Sequence, residues 1–406
     1  MLPSTKNYAT ITAGYWAFTL TDGAIRMLVV LYFHLLGYSP FEVAMLFLFY
    51  EFFGIITNLV GGWLGAKLGL NVTMHIGMAL QIVALLMLTV SDSMLSVAYV
   101  MFAQALSGIA KDLNKMSAKA GVKSLVSSTK NQAKSNPKLF KWVAVLTGSK
   151  NALKGVGFFL GAFLLDISSF RSALFILAGG LCMVLISTYI LLPKEIGKSK
   201  NKPKFTQVFS NAKEINWLSA ARFFLFGARD IWFVVALPVF LYDVLGWSFS
   251  QIGSFIALWI IGYGMVQAFT PHLLGQLLNQ RKTNKHPPTG LTAQILAFVL
   301  ALVPAGIAIL LNQGFDPSYT LVIGLLIFGV VFAINSAVHS YLILAYADHD
   351  KVAMNVGFYY MANAGGRLTG TVLSGLVYQQ IGLVGCLWFS SAFVVMAGAL
   401  SLALKD

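Results

Sequence analysis

Six basic residues lie inside stretches that are otherwise apolar: Arg26, Lys150, Lys154, Arg222, Arg229 and Arg367. A charge at the centre of a lipid-buried helix costs about 2.5–3.5 kcal/mol on insertion scales, so each base must be paired, hydrated or used. Only three acids, Asp22, Glu51 and Asp230, fall at comparable depth. The interior is therefore net positive, and the simplest chemistry for such a set is to hold an anion. Arginine suits phosphate-like oxygens because its planar fork donates in two places.

Spacing gives each base a local reading. Asp22 and Arg26 are four apart and share a helix face. They form either an intrahelical ion pair, or an anion-binding arginine beside an acid that holds it or takes a proton. Lys150 and Lys154 are also four apart, and two like charges on one buried face repel. Lys150 can snorkel to the membrane surface, whereas Lys154 is deeper. Arg222 and Arg229 lie seven apart on nearly one face; Arg222 can snorkel, and Arg229 is mid-span beside Asp230. Arg367 follows Asn363-Ala364-Gly365-Gly366, where the glycines permit close approach of a backbone or ligand. Glu51 can partner a lysine or carry a proton. His34, His75 and His339 show no ligand spacing and read as buried, hydrogen-bonded side chains. No metal or cofactor is expected, and Cys182 and Cys386, both within apolar runs, suggest no disulfide.

Helices must position these residues. The chain is 58% hydrophobic and 10% charged, with mean hydropathy +0.77, whereas soluble domains are nearer a quarter charged. Its apolar runs are mostly long enough to cross a bilayer. Twelve are expected: 9–36, 41–68, 72–90, 94–113, 140–165, 172–192, 215–245, 249–278, 291–311, 319–345, 352–381 and 384–404. This is an all-α integral membrane protein. The first run follows no charged n-region or cleavage site and is too long for a signal peptide, so it is expected to be a retained helix.

The formal charge of +14 is distributed by side rather than clustered for nucleic acid, and no nucleic-acid partner is expected. With the chain starting inside, the inner segments hold Lys6, Lys67, eight bases from Lys111 to Lys141, and six from Lys194 to Lys213. They also hold Arg281, Lys282, Lys285, Lys351 and Lys405, against Arg171 alone outside. Positive charge stays on the cytoplasmic side, so both termini are expected there, with the bases facing an anionic leaflet.

The polar segment 193–214, with Lys198-Ser199-Lys200-Asn201-Lys202-Pro203-Lys204, reads as a cytoplasmic linker between two six-helix halves, residues 1–192 and 215–406. Weak repeats relate them. Gly23-Ala24 precedes Leu36-Gly37-Tyr38-Ser39, as Gly227-Ala228 precedes Leu245-Gly246-Trp247-Ser248. Asn151 and Lys154 correspond to Asn363 and Arg367 within about one residue of register. This layout resembles the major facilitator superfamily, whose parallel repeats enclose a midplane site. In Gly62-Trp63-Leu64-Gly65-Ala66-Lys67-Leu68-Gly69-Leu70-Asn71 the superfamily's loop signature keeps its glycines, Leu64 and Lys67. Ala66 replaces the usual aspartate, and Leu70 and Asn71 replace the final bases. Gln104 stands four before Gly108, where many relatives have arginine.

Three runs are more specific. They are 14–26, ending Asp22-Gly23-Ala24-Ile25-Arg26; 47–65, with Tyr50-Glu51 and Gly61-Gly62-Trp63-Leu64-Gly65; and 108–119, with Lys111-Asp112-Leu113-Asn114-Lys115. Together they resemble the ArsJ-type organoarsenical efflux permeases, most densely over the first 125 residues. The resemblance implies arsenic resistance by export of 1-arseno-3-phosphoglycerate, a doubly headed anion supplied by a glyceraldehyde-3-phosphate dehydrogenase, across a bacterial inner membrane. A monomer is the expected working unit. Arg26 and Lys154 from one half and Arg229 and Arg367 from the other would grip the two ends. Asp22, Glu51 or Asp230 would couple protons or pair the bases. A carrier of ordinary organic phosphates, phosphate or arsenate is the alternative. A membrane enzyme acting on a phosphorylated lipid lacks an acid/base or nucleophile constellation.

Overall fold

The computed structural model describes residues 3–68, 70–127, 135–192, 212–277, 288–346 and 352–404. These residues form helices α1 (Pro3–Leu35), α2 (Pro40–Met45), α3 (Leu48–Leu68), α4 (Leu70–Met87), α5 (Val97–Ser127), α6 (Ser135–Ile167) and α7 (Phe170–Leu191). After the linker come α8 (Lys213–Phe233), α9 (Ala236–Asp243), α10 (Phe249–Leu277), α11 (Gly290–Asn312), α12 (Pro317–Ala345) and α13 (Val352–Ser401). Eight stretches among them are long and apolar enough to cross a membrane, and the shorter Asn71–Met87 is also apolar. Residues 193–211, most of the expected linker, lie outside the described set, as do the side chains of 61–70 and hence most of the loop signature.

Local chemistry sets the helix ends. Ser39 accepts from the Glu42 amide while Glu42 reaches back to the Ser39 amide at 2.8 Å, and Pro40 fills the first turn. That reciprocal cap satisfies donors that α2 would otherwise leave open. Asp316 starts α12 with a one-way cap, accepting from the Tyr319 amide at 3.0 Å ahead of Pro317.

Several expected spans are divided or extended. The run 215–245 breaks at Val235, whose φ of −123° leaves helical geometry. The amides of Val235 and Ala236 donate instead to the Ser374 hydroxyl of α13, at 3.2 and 3.1 Å. Irregular backbone at membrane depth survives when protein groups satisfy it. The run 41–68 likewise divides into α2 and α3. The runs 352–381 and 384–404 remain two helical stretches, here numbered together as α13 and parted at Gly382, whose φ of 70° leaves helical geometry. At 1.5 Å per residue α13 would reach about 75 Å if straight, over twice the hydrocarbon thickness. Past the expected run 94–113, α5 continues as helix to Ser127.

The helices meet through small residues. Gly23 of α1 faces Gly157 of α6, and Gly161 lies on the Ala24 backbone. Gly366 of α13 sits directly on the Phe223 carbonyl of α8, and Gly370 on Gly227. Lipid competes for apolar side chains, so close backbone approach is what favours helix association there. The periphery is apolar: Ile190 on α7 is 74% exposed and Leu302 on α11 is 72% exposed. Charged side chains occupy the centre.

Candidate binding cavity

Asp22 and Arg26 share a face of α1, yet each bonds elsewhere. Asp22 accepts from Lys154 Nζ of α6 at 2.9 Å and from the Tyr50 hydroxyl of α3 at 2.5 Å. Arg26 Nη2 donates to Glu51 Oε1 of α3 at 2.7 Å. The same oxygen accepts from Arg367 Nη2 of α13 at 2.6 Å. Arg367 Nε donates to Asp230 Oδ2 of α8 at 3.0 Å, and Arg229 donates twice to Asp230 Oδ1, at 2.7 and 2.5 Å. The result is a continuous row, Arg26–Glu51–Arg367–Asp230–Arg229, tying four helices together. Glu51 and Asp230 are wholly buried. Charged hydrogen bonds of this length are among the strong ones, and a low-dielectric setting raises the cost of losing either partner.

All six bases named from the sequence line one cavity of about 150 Å³. Asp22, Glu51 and Asp230 do not line it; they sit behind and neutralise the wall. Arg222 does not snorkel to the surface. It is buried, with Nε donating to Asn363 Oδ1 at 2.9 Å and Nη1 to the Ser336 carbonyl and hydroxyl, both at 3.2 Å. Its guanidinium also lies 3.7 Å from the centre of the Phe226 ring, a cation–π contact.

Two more bases line the cavity. Lys111 and Lys115, counted from sequence among the cytoplasmic loop charges, project from the extended α5. Lys111 lies 4.0 Å over the Tyr50 ring and 3.9 Å from Glu51 Oε2. Lys115 donates to Asn58 Oδ1 at 2.7 Å and to Asp112 Oδ1 at 3.3 Å. Asp112 is a fourth buried acid that the reading of intramembrane charges omitted. Their four-residue spacing was the available signal: it puts Lys111 and Lys115 on one face of any helix that continues past residue 113. Eight bases against four acids leave the region with four formal positive charges.

The cavity also has an aromatic side. Phe226, Phe233, Trp259 and Tyr263 line it. Trp259 and Tyr263 stack with centroids 5.9 Å apart, and the Trp259 indole donates to the Leu325 carbonyl at 2.6 Å. Asn151, the expected counterpart of Asn363, donates to Gln267 Oε1 at 2.8 Å. Of the histidines, His34 meets Asp243 at 2.9 Å near the ends of α1 and α9. His339 departs from expectation: it is buried, and neither ring nitrogen is hydrogen-bonded to any of the described residues.

Long apolar helices around a charged cavity are the makings of a membrane transporter rather than an enzyme. The sequence matches the Major Facilitator Superfamily over residues 11–311, and the chain belongs to that superfamily of secondary transporters. No curated protein matches it by sequence. Its fold is similar to the crystal structure of a variant of the nucleoside transporter NupG, with a TM-score of 0.70, 14% identity and 98% of each chain covered. That likeness concerns the fold alone.

Proposed function

We propose that this protein is an organic-anion exporter that moves a phosphorylated, arsenylated metabolite of the 1-arseno-3-phosphoglycerate type out of the bacterial cytoplasm. One observation carries the anion reading: eight basic side chains line a single buried cavity. A phosphate monoester brings a charge of about −1.5 to −2 at neutral pH, and an arsenate end adds a comparable charge by analogy. The choice of an arsenylated cargo rests on the sequence resemblance, and the outward direction follows from it.

In this reading twelve spans form two six-helix halves, 1–192 and 215–406, joined by 193–214, with both termini in the cytoplasm. The halves rock around the cavity so that it opens to one side at a time. The row from Arg26 through Glu51 to Arg367 crosses from one half to the other. Incoming anion would compete with Glu51 and Asp230 for their arginines, coupling occupancy to contact between the halves.

Everted vesicles supplied with labelled arsenate test the proposal. Uptake that needs glyceraldehyde 3-phosphate, its dehydrogenase and NAD together supports export of the arsenylated glycerate. Uptake of arsenate alone identifies an oxyanion carrier, and movement of other phosphate esters alone identifies a general organic-phosphate carrier. Arg229→Gln should abolish uptake at unchanged membrane abundance; full activity would remove Arg229 from the site.

A further inference from the structure

Arg222 and Arg229 lie seven positions apart on α8, which separates their Cα atoms by about 10 Å along the axis. Their surroundings differ. Arg229 donates twice to Asp230, and the neighbouring Arg26 and Arg367 share Glu51. Arg222 has only neutral hydrogen-bond partners among the described residues, Asn363 and Ser336. Its Nη2 makes no hydrogen bond to any of them, although the side chain lines the cavity.

Behind Arg222 the polar groups are already arranged. The Ser336 hydroxyl has three partners within hydrogen-bond distance, Arg222 at 3.2 Å, the Tyr263 hydroxyl at 3.3 Å and the Gln267 amide at 3.4 Å, of which it accepts from two at a time. Gln267 is fixed in turn by Asn151 of α6. The Phe226 ring flattens one face of the guanidinium. A guanidinium taken out of water without a carboxylate is costly, and neutral oxygens offset that cost incompletely. A fork fixed from behind, with a donor left over, fits an oxyanion that arrives from outside.

We infer that Arg222, with Tyr263, Gln267, Ser336 and Asn363, forms a second oxyanion subsite. The cavity therefore selects small anions with two oxyanion heads on a short linker over those with one. This rests on the anion-carrier reading above. One head takes the Arg229 and Arg367 region and the other takes Arg222; both side chains reach into the same cavity and shorten the gap between them.

Calorimetric titration of the purified protein with 3-phosphoglycerate (phosphate and carboxylate heads) and with glycerol 3-phosphate (phosphate alone) tests it. Wild type should bind the two-headed anion at least about tenfold tighter, a difference of about one pair of charged hydrogen bonds. Arg222→Gln should remove that preference and leave glycerol 3-phosphate within about twofold, while Arg222→Lys restores some of it. Ser336→Ala, which deletes one hydroxyl, should reduce the preference about threefold and serves if Arg222→Gln does not fold. Equal loss for both ligands, or no preference in wild type, overturns the subsite and leaves the anion carrier standing. If wild type binds neither anion, the carrier reading falls and takes the subsite with it.

Discussion

Glu51 and Arg367 are separated by 316 positions of chain and meet at 2.6 Å. The acid is wholly buried, and its Oε1 is shared with Arg26. One carboxylate oxygen thus joins α1, α3 and α13. Removing one member of such a buried set strands the others. Glu51→Gln should lower stability by about 3–5 kcal/mol, read as an earlier thermal transition of purified protein. Arg367→Gln should do the same, and the double variant should lose clearly less than the sum of the two. Strict additivity would mean that the contact contributes no coupling.

The extension of α5 makes a contrast between lysines that hydropathy treats alike. Lys111 lines the cavity beside Glu51 and Tyr50, whereas Lys213 is exposed at the start of α8. Lys111→Met should cut transport at least about tenfold, comparable to the loss of one charged hydrogen bond. Lys213→Gln should remain near wild type. Vesicle uptake normalised to membrane abundance checks both, and a fully active Lys111→Met would return this lysine to a role in topology.

Tyr50→Phe isolates a single hydrogen bond. Its hydroxyl donates to Asp22 at 2.5 Å while Lys154 holds the other carboxylate oxygen. Loss of the hydroxyl should cost about 1–3 kcal/mol. Asp22→Asn should cost more, because it leaves Lys154 facing a neutral amide. Thermal unfolding of both variants ranks them, and the opposite order would contradict this account of the pair.

Gly366 tests packing rather than charge. A Cβ there would overlap the Phe223 carbonyl of α8, a backbone atom with no side-chain freedom to yield. Gly366→Ala should push α8 from α13 and sharply lower the amount of folded protein recovered from membranes. Gly179, with open space around its Cβ position, should accept alanine without loss. Equal recovery of the two variants would show that the helices can separate at little cost.

The charged centre was legible in the sequence because a base inside an apolar run is costly unless it is paired, hydrated or used. All six such bases converge on one cavity. The extra two were hidden because an apolar run measures contact with lipid, not the length of the helix, and α5 outlasts its apolar stretch by more than three turns. Pairing was less legible still. The spacing of Asp22 and Arg26 invited a local pair, but Lys154 reaches Asp22 from 132 positions away. Such contacts depend on how helices are arranged around one another, which no window on a single sequence reads. The break at Val235 was invisible for a related reason: the acceptor that makes it tolerable, Ser374, is on another helix.

The carboxylates behind the cavity wall also bear on what happens when nothing is bound. Bare arginines sealed in an empty cavity repel one another, so a carrier built only from them closes readily around cargo and poorly without it. That property makes an obligatory swapper, tied to a returning anion. Here Asp22, Glu51 and Asp230 are fixed counter-ions that travel with the protein. They offset part of the positive wall, so in the proposed carrier the unloaded return stroke should cost less than it would with bare arginines, and one-way discharge should be open to it.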